Sequence, residues 1–359
     1  MKYTISILLF LVALLLSACS GSEITSESTE PTVFPPPPDK PKLQYLTSFS
    51  KSTDISGERS AFSGFVMGEE APLEIKKPYG ISIGKKKIYI CDTMLGGLEI
   101  IELENGNFNY FMPEGRGKLK KPINCFIDDY GFLYVADADR GQVIIYDEDL
   151  DFVAELGDST VLKPTDVFVY NEQIFISDIK KRSIDVFDKV SKQFIKSLPS
   201  VNADSLNLFS PANIYVYNNK LYVSDIGDFK IKIYDLDGKF LNSIGTIGNV
   251  PGTFTRHKGI AVDKDENIYI VDASFENVQI FNSEGKLLMF FGGPYSKPGD
   301  MWLPAKVTID YDHIEYFKDF IYPEFSIKYL VFVTNQYGPD KVSVYGFIEE
   351  KANDGKSEQ

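Results

Sequence analysis

A unit of 42 to 47 residues recurs along the chain, and this repeat limits the possible folds more than any other feature of the sequence. Each unit opens with a proline ahead of a short apolar segment, at Pro78, Pro122, Pro164, Pro211 and Pro304. His257 stands at the same place in the fifth unit. A unit of this size cannot bury its apolar side chains alone, so the repeat predicts an array in which neighbouring units cover each other.

The remainder of each unit predicts three further strands. The second segment is aliphatic and aromatic and ends in Asp or Asn, at residues 88–92, 133–137, 174–178, 221–225, 268–272 and 331–335. The third alternates apolar and polar residues, as in 184–188, and a turn separates it from a fourth, such as 240–244. Alternation indicates β-strands, and no long segment shows helical periodicity. We therefore predict an all-β fold, a six-bladed β-propeller of four-stranded antiparallel blades.

The sixth unit lacks a fourth strand of its own, because charged residues follow Tyr345. Residues 45–49, near the other end of the chain, resemble the fourth strand at 240–244. We expect this N-terminal segment to close the ring as the outer strand of blade six, which removes two open sheet edges. The prediction is one propeller domain of residues 43–349, followed by a disordered tail at 350–359.

The repeat resembles that of the NHL-repeat family of propellers. The shared features are the Pro-x-Gly-Ile opening at Pro78, the aliphatic-Tyr-Val-x-Asp strand at 133–137 and the Val-x-Val-Phe-Asp type of strand at 184–188. The resemblance runs from blade one to blade six and implies the fold. NHL propellers include RNA-binding modules, extracytoplasmic sensor domains, amidating lyases and lipoproteins, so the resemblance does not imply one activity.

The N-terminus predicts the compartment. Residues 7–16 are apolar, too few to span a bilayer, and typical of a secretory signal. They end in Leu16-Ser17-Ala18-Cys19, which resembles the lipobox of bacterial lipoproteins. The resemblance implies a signal peptide of residues 1–18, a palmitate-type lipid on Cys19 and anchoring to the cell envelope, in the outer membrane if the cell is Gram-negative, since no Asp follows Cys19. The alternative is an ordinary secretory signal.

The segment after the signal predicts a spacer. Residues 19–42 are rich in Ser, Thr, Glu and Pro and have no apolar periodicity. Such a composition favours a disordered tether, and the four prolines at 35–38 favour an extended polyproline II conformation. We expect the tether to hold the folded body away from the membrane.

Charge and composition exclude several functions. The chain has 37 Lys and Arg against 51 Asp and Glu, a net charge of -14, which repels nucleic acid and anionic membrane surfaces. Three Cys and two His cannot supply a structural zinc cluster or a disulfide framework. We expect no nucleic-acid partner, no catalytic residues and a monomer.

The recurring acidic residues have two interpretations. Five carboxylates and one amide end the second strands, at Asp92, Asp137, Asp178, Asp225, Asp272 and Asn335. A ring of carboxylates would attract a hard cation if the side chains converged, and a single pore Ca²⁺ remains open. We favour the other interpretation, in which each carboxylate caps its local turn by accepting backbone N–H groups. Cys91 and Cys125 are expected as small buried side chains, with a disulfide between blades one and two left open.

Enzyme signatures are sparse. Streptogramin lyases and amidating lyases, which are similar propellers, depend on several His residues, whereas this chain has only His257 and His313, neither in a metal-binding motif. Gluconolactonase-like propellers use a Glu, Asn and Asp set around calcium, and no such non-repeating set stands out here. We interpret both histidines as structural.

Two insertions interrupt the repeat. One, around residues 310–329 of blade six, contains the candidate docking residues Tyr316, Phe317, Phe320 and Tyr322. It forms either an exposed docking loop or a lid on its own blade. The other, residues 57–76, links the closing strand to blade one and contains Phe62, Phe65 and Met67.

One face of the propeller is predicted to bind. Loops between second and third strands share a face with the interblade connections. That face collects basic and aromatic residues, namely Arg140, Lys181, Arg182, Phe229, Lys230, Phe275 and Tyr337. The alternative is that these basic residues pack locally.

We expect a lipid-anchored, non-catalytic platform that binds a small anionic or glycan ligand, or another envelope protein, through this face. The alternatives are a metal-dependent lyase or hydrolase with its site at the central pore, and an envelope sensor or assembly scaffold that docks through blade six.

Overall fold

The computed structural model describes residues 30–56, 71–158, 162–199 and 207–351. The signal peptide, Cys19 and the residues Phe62, Phe65 and Met67 lie outside the described residues. Six antiparallel sheets form the six blades, which confirms the predicted fold class. The compact unit that contains them begins at Thr32.

Each blade starts with its innermost strand, and these strands contact one another around a closed ring. The first strands of blades one to six are β3 (Pro78–Gly84), β7 (Pro122–Ile127), β11 (Pro164–Tyr170), β15 (Pro211–Tyr217), β19 (His257–Val262) and β23 (Pro304–Asp310). The second strands are β4 (Lys87–Asp92), β8 (Leu133–Asp137), β12 (Gln173–Asp178), β16 (Lys220–Asp225), β20 (Ile268–Asp272) and β24 (Phe325–Asn335).

The outer half of each blade follows the same order. The third strands are β5 (Gly97–Glu102), β9 (Gln142–Tyr146), β13 (Ser183–Asp188), β17 (Lys230–Asp235), β21 (Asn277–Phe281) and β25 (Val342–Glu350). The fourth strands of blades one to five are β6 (Phe108–Phe111), β10 (Phe152–Leu156), β14 (Phe194–Leu198), β18 (Phe240–Ile244) and β22 (Leu287–Gly292). No helix among the described residues is long and apolar enough to cross a membrane.

The core is divided into six clusters of buried apolar side chains, one between each pair of neighbouring blades. Between blades one and two, Leu98 and Ile100 pack with Val135 and Ile144. Both sides of each second strand are covered by a neighbouring blade, so the second strands are mainly apolar on both sides. The third strands also bury polar residues, such as Glu99, Asp185 and Lys232. Stability therefore depends on contacts between blades as much as on the strands within each blade.

The N-terminal segment closes the ring, as predicted. β2 (Leu43–Phe49) pairs antiparallel with β25, with Tyr45 opposite Tyr345 and Phe49 opposite Val342. Leu46 and Phe49 join the core between blades six and one, and Leu43 joins the core between blades five and six. The closing strand thus contributes to two interblade cores.

The predicted boundary of the tether was wrong. β1 (Val33–Phe34) pairs with the start of β2 and makes blade six five-stranded. The Phe34 ring lies 6.1 Å from Phe291 and 6.2 Å from Tyr345. Residues 35–42, including the prolines, form the turn between β1 and β2 rather than an extended spacer. Two isolated apolar residues carry no periodic signal, and only the neighbouring strand and aromatic rings explain why they are ordered. At the other end, β25 extends to Glu350.

Candidate binding face and pore

The carboxylates of the repeated Asp residues accept hydrogen bonds from backbone N–H groups. Oδ2 of Asp92 accepts from the backbone N of Lys76 and of Lys77, each at 2.7 Å, and Oδ1 accepts from the N of Met94 and of Leu95. The carboxylates of Asp137, Asp178, Asp225 and Asp272 accept backbone N–H groups of the preceding interblade connection in the same way. Each carboxylate thus ties the interblade connection to its own blade, and each is fully buried.

Blade six uses an amide at this position. Nδ2 of Asn335 donates to the Asp340 carbonyl oxygen at 2.7 Å and to Oγ of Ser343 at 3.1 Å. Among the described residues, no three His, Cys, Asp or Glu side chains converge as a metal site would require. The local turn cap is the arrangement that the structure shows for these positions.

A buried ion pair crosses the centre of the ring. Nζ of Lys306 on β23 lies 2.6 Å from Oδ2 of Asp166 on β11. Blades six and three are opposite each other in a six-bladed ring, so this bond passes through the central pore. Asp166 also accepts from Nδ2 of Asn213 and from the backbone N of Ile214. The pore carboxylate is therefore already neutralised by a side chain of this chain.

The inner strands approach each other closely beside this pair. A Cβ on Gly80 would lie 2.5 Å from Cα of Asn124, and a Cβ on Gly259 would lie 2.7 Å from Cα of Lys306. These two positions accept only glycine, because backbone atoms cannot move away as a flexible side chain can. The sequence shows Lys306 and Asp166 at the same position of two repeats, but it does not show that they meet.

Two of the seven predicted face residues pack locally. Arg140 donates to the Lys118 carbonyl oxygen and to Oε1 of Gln142, and it pairs with Glu155. Lys181 pairs with Asp185 at 2.9 Å.

Lys230 has a weaker contact, with its Nζ 3.6 Å from the Asp228 carboxylate. Arg182 is exposed, and the Phe229 and Phe275 side chains are half-buried. Tyr337 is 45% exposed. These residues lie in five different loops around one face.

The same face carries further exposed side chains. Exposed apolar side chains stand beside the basic ones, at Met94, Met112, Phe209, Ile247, Val250 and Trp302. Exposed basic residues continue around the face, at Arg116, Lys118, Lys120, Lys121, Lys163, Lys180 and Arg256. A cavity of about 350 Å³ lies against Lys118, Lys120 and Arg140.

The opposite face, called the acidic face below, carries more acidic than basic residues. Its loops join first to second strands and third to fourth strands, and their exposed acidic residues include Asp129, Glu148, Asp149, Asp151, Asp237, Asp265, Glu284, Asp312, Glu315 and Asp319. Fewer exposed lysines lie among them, at Lys85, Lys86, Lys239, Lys264, Lys286 and Lys318. The two faces therefore differ in their balance of charge, because their loops emerge at opposite ends of the strands.

A buried lysine lies at the mouth of the pore, on the face formed by the interblade connections and the loops between second and third strands. Lys258 on β19 is 7% exposed, its Nζ donates to Oε1 of Gln336 at 3.2 Å, and it lies 5.3 Å from the Tyr79 ring centre. Burial, with the nearby charges of Arg256 and Lys77, lowers the pKa of Lys258 to about 7. Nothing in the sequence signals that this lysine, unlike its neighbours, is buried.

The blade-six insertion packs on its own blade. It contains two short 3₁₀ turns, Ile314–Tyr316 and Lys318–Phe320. The side-chain amide of Gln44 donates to the Phe320 carbonyl oxygen and accepts from the Tyr322 N. Phe317 is buried against Phe332, whereas Phe320 and Tyr322 are 49% and 40% exposed. The insertion also borders a cavity of about 310 Å³ between blades six and one.

Cys91, Cys125 and His313 make contacts that hold neighbouring blades together. Cys91 and Cys125 are free thiols in the core between blades one and two, and burial raises the pKa of Cys91. Nδ1 of His313 contacts the Asp310 carboxylate at 2.9 Å, and its Nε2 accepts from the Lys86 N. His313 thereby joins blade six to blade one.

His257 makes stability depend on pH. The residue is fully buried, and burial lowers its pKa from 6.5 to about 4. The unfolded chain therefore binds a proton that the folded chain does not, so stability falls as the pH decreases from about 6.5 to about 4, by about 3 kcal/mol in total.

We expect His257→Pro, which restores the proline of the other five blades, to remove this part of the pH dependence. The measurement is urea unfolding of both proteins between pH 4 and pH 7.5. A constant difference in stability across that range would contradict the prediction.

Comparison with known proteins supports the architecture. A family model described as a 6-bladed beta-propeller matches residues 193–289. No sequence match to a curated protein was found. A solved structural genomics protein of unknown function from Bacteroides thetaiotaomicron is similar over 86% of this chain and 76% of its own, with 14% identity and a TM-score of 0.60.

Two solved enzymes share the shape. The gluconolactonase XC5397 from Xanthomonas campestris is similar over 84% of this chain and 98% of its own, with 14% identity and a TM-score of 0.54. Virginiamycin B lyase from Staphylococcus aureus is similar over 79% of this chain and 86% of its own, with 15% identity and a TM-score of 0.53. At these identities the likeness concerns the fold alone. The sheet topology and these matches together show that the chain is a six-bladed β-propeller.

Proposed function

We propose that the protein is a non-catalytic binding platform, of the NHL-repeat type, anchored to the cell envelope by lipid on Cys19. The observation that carries the proposal is the basic face, defined as the loops between second and third strands together with the interblade connections. It combines exposed apolar side chains such as Trp302 and Phe209 with exposed basic ones such as Arg182, in a protein of net charge -14. Apolar and cationic residues on one surface are typical of a docking site.

The contacts of the titratable groups support a non-catalytic role. The repeated carboxylates accept backbone N–H groups, and His257 is buried with Nε2 bonded to the Lys230 carbonyl oxygen. His313 is held between Asp310 and Lys86. These carboxylates and both histidines are buried, which keeps them away from a ligand bound at the surface. The alternative of a metal-dependent lyase or hydrolase needs free pore carboxylates, and Asp166 is occupied by Lys306.

The revised tether changes how the platform would sit at the membrane. The packed body begins at Thr32, so only 12 residues, 20–31, separate it from Cys19. Even fully extended, such a segment spans at most about 45 Å. The platform would therefore reach partners in the same membrane or close to it.

Site-specific photocrosslinking in intact cells tests the proposal. A photoreactive residue at Arg182 or Tyr337 on the basic face is expected to give adducts in the membrane fraction, and one at Val190 on the acidic face is not. Cys19→Ser should move the protein out of the membrane fraction and abolish the adducts. Adducts from Val190 alone, or from none of the positions, would overturn the platform.

The exposed rings of Phe320 and Tyr322 favour a second candidate, a scaffold that docks through blade six. Both rings are presented by a rigid insertion whose backbone is bonded to Gln44 on the closing strand. In the same experiment, a photoreactive residue at Phe320 tests this surface. Adducts from Phe320 without adducts from Arg182 or Tyr337 would select the scaffold over the platform.

A further inference from the structure

We propose that the pore mouth on the basic face binds an oxyanion, the carboxylate or phosphate group of a small ligand, on Lys77, Arg256 and Lys258. The inference rests on the proposed function, because it assigns a ligand class and a position within the same face. The pore-mouth site is defined as these three residues with Tyr79, Gln336 and Tyr337.

The three basic residues belong to blades five and one, which lie on the two sides of blade six. Lys258 and Arg256 belong to blade five, and Lys77 precedes the first strand of blade one. Gln336 and Tyr337 belong to blade six, which lies between them. Nζ of Lys258 contacts Gln336, and Nζ of Lys77 lies 5.1 Å from the Tyr337 ring centre. Basic side chains from both neighbouring blades therefore lie against residues of blade six.

Among the described residues, no carboxylate forms an ion pair with Lys77, Arg256 or Lys258. The nearby carboxylate of Asp272 accepts the backbone N–H groups of Arg256 and Ser274 among others. Its charge favours the protonated form of Lys258 but is outweighed by burial and by the charges of Arg256 and Lys77, since the pKa of Lys258 is still lowered. A buried ammonium group without a counter-ion is unfavourable. A bound oxyanion would supply the missing charge.

The contrast with the pore centre supports this interpretation. Lys306 is as buried as Lys258, but it is paired with Asp166 at 2.6 Å. Lys258 has only the neutral amide of Gln336 and the Tyr79 ring. The same ring of strands thus contains one compensated lysine and one uncompensated lysine, and the uncompensated one faces the mouth.

The aromatic residues add a preference for the rest of the ligand. The Tyr79 ring lies near Nζ of Lys258 and the Tyr337 ring near Nζ of Lys77, so a flat apolar surface accompanies each lysine. A sugar ring or a planar group attached to the anion can pack against such surfaces while its charge contacts the lysines. We therefore expect an acidic sugar to bind more tightly than inorganic phosphate.

Binding should depend on pH with a defined sign. Burial and the charges of Arg256 and Lys77 lower the pKa of Lys258, and the charge of Asp272 opposes them. Tyr79, whose pKa is raised by burial, also faces the lysine. An anion favours the charged amine, so affinity should increase as the pH falls through about 7, with uptake of a proton.

Isothermal titration calorimetry of the purified protein with glucuronate, inorganic phosphate and neutral glucose tests the inference. Glucuronate is expected to bind, more tightly at pH 6 than at pH 8, and Lys258→Met should weaken it at least tenfold. The control is Lys239→Met, because Lys239 is an exposed lysine in the turn between the third and fourth strands of blade four, on the opposite face. That variant should bind as the unmodified protein does. Phosphate binding with no glucuronate binding would retain the oxyanion and reject the acidic sugar.

Two outcomes would overturn the site. One is the absence of binding heat with both anions at tens of millimolar, in a Lys258-containing protein shown by its melt to be folded. The other is an equal loss of affinity in Lys258→Met and Lys239→Met, which would indicate general charge attraction. Failure of the site together with continued crosslinking from Arg182 would leave the platform intact. Binding of glucuronate without any crosslinking would retain the site and reject protein docking.

Discussion

A chain that begins at Ser50, and so lacks β1 and β2, is expected to lose cooperative folding. Leu43, Leu46 and Phe49 are each at least nine-tenths buried, in two different interblade cores. Burial of a large apolar side chain contributes about 1.5–3 kcal/mol. Three such losses approach the whole stability of a typical domain, about 5–15 kcal/mol. Removing β2 also leaves the edge of β25 unpaired, so blade six no longer closes the ring.

The measurement is thermal and urea unfolding followed by circular dichroism. A chain that begins at Glu30 serves as the control and should unfold in one sharp transition. A chain that begins at Leu43 removes only β1 and its turn, and we expect it to remain folded with lower stability. A sharp transition for the chain that begins at Ser50, close to that of the control, would show that blade six does not need its closing strand.

Lys306→Met is expected to destabilise the propeller by about 3–5 kcal/mol, because it leaves the fully buried Asp166 without its cation. The remaining partners of Asp166 are the amide of Asn213 and backbone N–H groups, which cannot neutralise the charge. We expect the double variant Lys306→Met with Asp166→Asn to recover most of the loss. The Asn side chain keeps an oxygen acceptor for these donors and carries no charge.

Urea unfolding of the single and double variants completes a double-mutant cycle. The control is Lys239→Met at an exposed turn, for which we expect a change within about 0.5 kcal/mol. Additive effects of the two pore substitutions would mean that the pair contributes no coupling. That result would contradict the conclusion that this ion pair stabilises the ring across the central pore.

The sequence predicted features that repeat and missed those that occur once. The Asp at the end of each second strand could be interpreted as a turn cap, because five copies at one repeat position indicate a local role. Val33 and Phe34 occur once, in a polar segment, and were assigned to the tether. The burial of Lys258 was also missed, since nothing in the sequence distinguishes this lysine from the exposed basic residues near it.

The amino-acid sequence by itself determined the number of blades, the strand order and the strand that closes the ring. These follow from local periodicity, because apolar side chains at every second position can be buried only in sheets, and identical units must cover one another. Only the tertiary structure decided that Lys306 meets Asp166 across the pore and that Lys258 is buried without an ion pair to any carboxylate of the described residues. Such contacts join residues far apart in the chain, and their energy depends on burial and charge in three dimensions rather than on any pattern along the chain.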